Sequence, residues 1–88
     1  MTLNEIKSRL ISAVTAWDRK QLSKKHHNPH ALVIYIERVD EVMRDIESGT
    51  NPRAAIIRGF NDRLLDHCLR SLDMETASIE EHNSRICY

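Results

Sequence analysis

Residues 28–52, NPHALVIYIERVDEVMRDIESGTNP, carry the reading that decides the fold. Asn28 is one of the residue types whose short side chain caps a helix start. Pro29 falls at the first helical position, where a missing N–H costs nothing and a fixed φ already suits the helix. Leu32, Tyr35, Ile36, Val39, Val42, Met43 and Ile46 then return every three or four residues, which gathers them on one side of a helix. Gly49, after Ser48, supplies a C-terminal stop, and Asn51-Pro52 repeats the start signal. So short a connection makes the second and third helices antiparallel neighbours. The two starts align as NPHALVI and NPRAAII, but the likeness fades after one turn and has no third copy. It reflects reuse of a good helix start rather than an internal repeat.

Upstream, Thr2 with Glu5 three positions later is a capping-box pattern, so the first helix is predicted to open there. Leu3, Ile6, Leu10, Ala13, Val14 and Trp17 share one face, and the helix is expected to run to about Gln21. Residues 18–30 lose the periodicity and turn basic, which reads as the end of that helix and a connecting loop. Downstream of Pro52, the residues Ile57, Phe60, Leu64, Leu65, Cys68, Leu69 and Leu72 cover a broad arc, as in an element packed on more than one side. Gly59 costs about 1 kcal/mol relative to alanine inside a helix, and Asn61 or Asp62 can cap a fresh start. This element is therefore either one helix to Leu72 or two shorter ones over 52–59 and 61–72. A single domain is expected over residues 1–72. Residues 73–88 are polar and acidic and read as a tail, either frayed or holding one short helix near 75–82.

Composition narrows the class further. A chain of 88 residues makes one domain, just above the size at which a core is hard to build without staples or partners. A hydrophobic share of 41% argues against disorder, while two glycines and two prolines are too few for the many turns of a sandwich or barrel. An all-α fold follows: a small antiparallel three-helix bundle, or a four-helix one if the third helix breaks at Gly59. Its expected core is Leu10, Val14, Trp17, Ile36, Val39, Met43, Leu64, Cys68 and Leu72. Basic and acidic residues cancel at 13 each, so net charge marks neither a nucleic-acid binder nor a membrane-surface protein. Residues 1–30 hold six Lys/Arg against two Asp/Glu and residues 31–49 two against five, so the first two helical segments carry opposite sign and attract weakly. Glu5, Lys7, Arg9, Asp18, Arg19 and Lys20 interrupt any leader-like or membrane-spanning run, and Cys68 and Cys87 form neither a disulfide framework nor a zinc spacing. The expectation is a cytoplasmic protein that does not engage membranes.

The candidate chemistry is thin. His26, His27, His30, His67 and Cys68 lack the defined spacing of a zinc site, so no metal is expected. Glu37, Asp40, Glu41, Asp45 and Glu47 crowd the polar face of the second helix without the Glu-x-x-His of a di-metal bundle, and read as a solvated face. There is no Gly-x-Ser-x-Gly elbow and no glycine-rich phosphate loop, so the sequence points to no enzyme and no cofactor. Arg19, Lys20, Lys24 and Lys25, beside the histidines, form the candidate nucleic-acid surface, since clustered cations neutralise phosphates. No aromatic stacking set accompanies them, and the acidic second helix does not suit a helix-turn-helix.

Val33 and Ile34 are the sharper clue. At about 100° per residue both fall outside the Leu32–Ile46 stripe, and Ile34 shares its side with Glu37, Arg38 and Glu41. They require a second cover, either the first helix or the tail, or another chain. Beyond these residues, NPHA and NPRAA, then Gly59-Phe60-Asn61-Asp62-Arg63-Leu64-Leu65-Asp66 and Cys68-Leu69, give residues 28–72 a look that resembles small uncharacterised proteins of bacteriophages and prophages. The resemblance implies a mobile-element protein that binds a host factor, and it carries over no site residues. The reading is a non-enzymatic protein–protein interaction module that meets a host protein or itself as a homodimer, through Val33 and Ile34. The alternative is a small nucleic-acid-binding or transcription-regulatory protein using the basic 19–30 segment.

Overall fold

The computed structural model describes residues 1–22, 24, 28–60 and 62–81, with Asp62 and Arg63 described by their backbone alone. Readings that fall on Lys25, His26, His27, Asn61 or residues 82–88 lie outside the described residues. The described chain is all-helical: α1 (Leu3–Leu22), α2 (Ala31–Glu47), α3 (Pro52–Gly59) and α4 (Asp62–Ser71), with a further helical turn beginning at Ile79.

Each helix end shows how local chemistry sets the boundary. At α1 the Thr2 hydroxyl accepts the Glu5 N–H at 3.2 Å and donates to the Glu5 carboxylate at 3.4 Å. The two Asn-Pro signals act differently. Asn51 Oδ1 accepts the Arg53 N–H at 3.0 Å and the Asn51 carbonyl accepts the Ala55 N–H at 2.9 Å, four residues on, so α3 starts at Pro52 as expected. Asn28 Oδ1 likewise accepts the His30 N–H at 2.9 Å, but its carbonyl accepts from Ala31, three residues on. Pro29 therefore sits in a tight turn, and α2 opens later than predicted, with His30 at the cap making no side-chain capping bond.

The C-terminal end of α2 is a Schellman motif: Thr50 N–H reaches the Asp45 carbonyl, Gly49 N–H reaches Ile46, and Gly49 takes φ 109°. The end of α4 repeats it without a glycine. There Met74 N–H bonds Leu69, Asp73 N–H bonds Arg70, and Asp73 itself holds φ 57°. Its carboxylate lies 3.2 Å from Arg9 Nη1 of α1, a partner that helps hold this strained position.

The sequence left open whether residues 52–72 make one helix or two, and the structure resolves it as two. Phe60 is extended (φ −121°, ψ 147°) and only 2% exposed, so its ring is buried at the junction between α3 and α4. Gly59 lies directly against Val42 of α2, where a Cβ would overlap the Val42 side chain. The glycine that weakens a continuous helix is thus the one that lets α3 approach α2. Packing then closes on itself: α1 lies beside α2 and α4, and α3 lies beside α2 and α4, so that among the described residues α2 and α4 face one another across the core they share. Of the expected core, Leu10, Val14, Val39, Met43, Leu64, Cys68 and Leu72 are buried, whereas Trp17 and Ile36 are half-buried at its edge. Ile6 and Ala13 of α1, Val42 of α2, and Ala55, Ile56, Ile57, Phe60, Leu65 and Leu69 complete it.

After Asp73 the chain returns to the start of α3. Arg53 grips Glu81 with two bonds, Nε to Oε2 at 2.9 Å and Nη2 to Oε1 at 2.8 Å, and also donates to the carbonyls of Glu75 and Thr76. Ser78 and Glu81 form a reciprocal capping box, Glu81 N–H to Ser78 Oγ and Ser78 N–H to Glu81 Oε1, which opens the turn at Ile79. Met74 and Ala77 pack against the core beneath this clamp. The Arg53 hydrogen bonds, followed by the Ser78 N–H, hold the Glu81 carboxyl down at about 2, below its ordinary 4.5.

Two outcomes follow from this packing. Gly59→Ala, which would stabilise an unobstructed helix by about 1 kcal/mol, is expected to destabilise this one by roughly 1–3 kcal/mol through overpacking. Urea denaturation should show the loss and its relief when Val42→Ala is combined with it. Because the Glu81 pKa is depressed, its contribution is complete above about 4.5 and disappears as pH falls toward about 2. Protection of the Ser78 and Glu81 amides, taken relative to their intrinsic exchange rates, should therefore fall across that acid window, and Glu81→Gln should lower it already at neutral pH.

Candidate functional site

Helix α2 uses its sides unequally. Val39, Val42 and Met43 are buried, with Leu32, Ile36 and Ile46 packed against them. Asp40 lies at the flank toward α1, its carboxylate 3.9 Å from Lys7 Nζ. The remaining face presents His30, Val33, Ile34, Glu37, Arg38, Glu41 and Arg44, all exposed. These residues recur at three- and four-residue steps and so form one outward strip.

Val33 and Ile34 are 58% and 47% exposed. The internal covers considered from sequence do not reach them: α1 packs on another side of α2, and the described part of the tail is drawn to Arg53 at the start of α3. Other large apolar residues are exposed too, but they stand singly at ends: Met1, Leu3 and Leu22 at the limits of α1, and Ile79 in the tail. Val33 and Ile34 are the adjacent exposed pair on a helix face among the described residues. Charges ring them, with Arg38 Nη1 3.4 Å from Glu41 Oε2 on the same strip.

The basic candidates are less gathered. Arg19 and Lys20 are exposed in the last turn of α1 and Lys24 is exposed just beyond it, while Lys25 lies outside the described residues. Of the histidine and cysteine set, His30 is exposed at the head of α2, whereas His67 tilts against Trp17 with ring centroids 5.8 Å apart and Cys68 is fully buried. His67 and Cys68 thus serve packing between α1 and α4. Among the described residues no group of three His, Cys, Asp or Glu is placed to hold a metal ion. Burial pushes the Cys68 thiol up to about 12, which keeps it protonated and inert.

A shallow, open groove of about 370 Å³ runs between α1 and the end of α4, lined by Ser8, Arg9, Ser12, Ala13 and Ser71. Its one charged group, Arg9, is engaged by Asp73 and by the Ser71 carbonyl at 3.5 Å. The groove brings together hydroxyls and a paired guanidinium. Among the described residues no helix is long and apolar enough to cross a membrane.

The chain matches no protein-family model, and no curated protein or solved structure shows significant similarity to it.

The state of Cys68 can be checked directly. With Cys87 replaced by serine, a thiol reagent is expected to label Cys68 only as fast as the protein unfolds, and labelling of the folded protein at the speed of a free thiol would contradict its burial.

Proposed function

We propose that this chain is a non-enzymatic protein–protein interaction module: a small antiparallel bundle of helices that presents the outer face of α2 for helix-on-helix association. The observation that carries the reading is the exposure of Val33 and Ile34 side by side within a charged strip. An apolar pair ringed by charges has the anatomy of an interface centre with a polar rim. The likeness of residues 28–72 to small phage and prophage proteins favours a setting in a bacterial or phage cytoplasm, with a host protein or a second copy as the partner.

The experiment compares wild type with Ile34→Glu, an exposed substitution that leaves the core intact. Helical circular dichroism should be unchanged, while association with itself or with a partner from host lysate should be lost. If the variant keeps both its oligomeric state and its captured proteins, the surface is wrongly assigned.

A further inference from the structure

The outer strip of α2 has a direction. At its head stands exposed His30, whose imidazole makes no capping bond, with Lys24 exposed in the connection before it. The apolar pair Val33 and Ile34 follows, and then the exposed carboxylates of Glu37 and Glu41. A donor, His30, therefore stands before the apolar pair and the carboxylates stand after it, with Arg38 and Arg44 interleaved among them.

Such a strip is complementary to itself when reversed. A two-fold axis passing between Val33 and Ile34 sets Val33 of one copy against Ile34 of the second, and His30 of each against Glu37 of the other. The imidazole N–H then donates to a carboxylate at both ends of the contact. A parallel pairing of the same faces would oppose Glu37 to Glu37 and Glu41 to Glu41, which is repulsive. Arg38 already pairs with Glu41 at the edge of the strip, so Glu37 is the carboxylate placed to reach across the axis. A different protein would need its own matching sequence of acceptor, apolar pair and donor, whereas a second copy carries it by construction. Resting on the interaction reading above, we infer that the partner of this face is a second copy of the chain, docked antiparallel on α2 with Val33 and Ile34 at the two-fold axis.

Sedimentation velocity of the purified full chain over a concentration series tests this. Wild type is expected to show a monomer–dimer equilibrium. Ile34→Glu should weaken it by about tenfold or more, since two charges would be driven into the contact. His30→Glu should weaken it by setting two carboxylates against each other and Glu37→Lys by replacing the acceptor with a second donor, and combining the two should restore wild-type dimerisation or exceed it. Circular dichroism of each variant confirms folding, which these exposed positions should leave untouched. A wild type that stays monomeric throughout, or a double variant no better than the single ones, overturns the self-pairing. Loss of a different protein's binding in Ile34→Glu, with wild type monomeric, removes the self-pairing alone and leaves the interaction reading. A dimer indifferent to Ile34→Glu removes both.

Discussion

The close approach of Gly59 to Val42 governs how this chain closes. A helix continuous from Pro52 to Leu72 would extend for about 30 Å at the usual rise per residue, with its apolar arc facing more directions than one neighbour can cover. Ending α3 at Gly59 and extending Phe60 redirects the chain, so that α4 packs on α1 while α3 stays on α2. Phe60 is the residue that makes the bend stable, because its ring goes into the core at the point where the helical hydrogen bonds stop. The glycine is thus selected by packing, and its weak helix propensity is a secondary help.

What could be read in advance depended on whether the deciding chemistry was local. The α2 stop was legible because glycine is the usual residue for the left-handed position, and Gly49 occupies it. The α4 stop uses the same hydrogen bonds with Asp73 in that place, and the partner that favours aspartate is Arg9, far away in sequence. The Asn-Pro pairs were equally legible as start signals, yet only the second opens its helix directly. The first closes a four-residue turn instead, a difference of one hydrogen bond that the dipeptide does not encode. The capping box at Ser78 and Glu81 has the spacing seen at Thr2 and Glu5 and was available to the eye. Polar, acidic surroundings mask it, whereas Thr2 precedes an apolar stripe.

The candidate surface was legible for a related reason. Helical angle alone places Val33 and Ile34 off the buried stripe, and that inference needs only α2 to be a helix. Which element would cover them was not legible, since it turns on where the tail goes. Trp17 and Ile36 show the same limit on a smaller scale. Periodicity puts them on the inner faces, but their depth depends on how far the neighbouring helix extends beside them, and both remain at the margin of the core.

The tail and the open face are linked through Arg53. Asn51, Pro52 and Arg53 are consecutive, and together they cap α3, start it and set a guanidinium at its head. Four hydrogen bonds from that one side chain draw residues 75–81 toward α3, and Met74 and Ala77 pack against the core, with the Ala77 N–H 3.4 Å from Asp66 Oδ1 of α4. A tail held there serves the core, but its described part does not shield the outer strip of α2. The same Asn-Pro signal that orders the centre of the fold therefore has a consequence at a distance. By committing the described part of the tail to α3, it leaves Val33 and Ile34 exposed on the outer strip of α2.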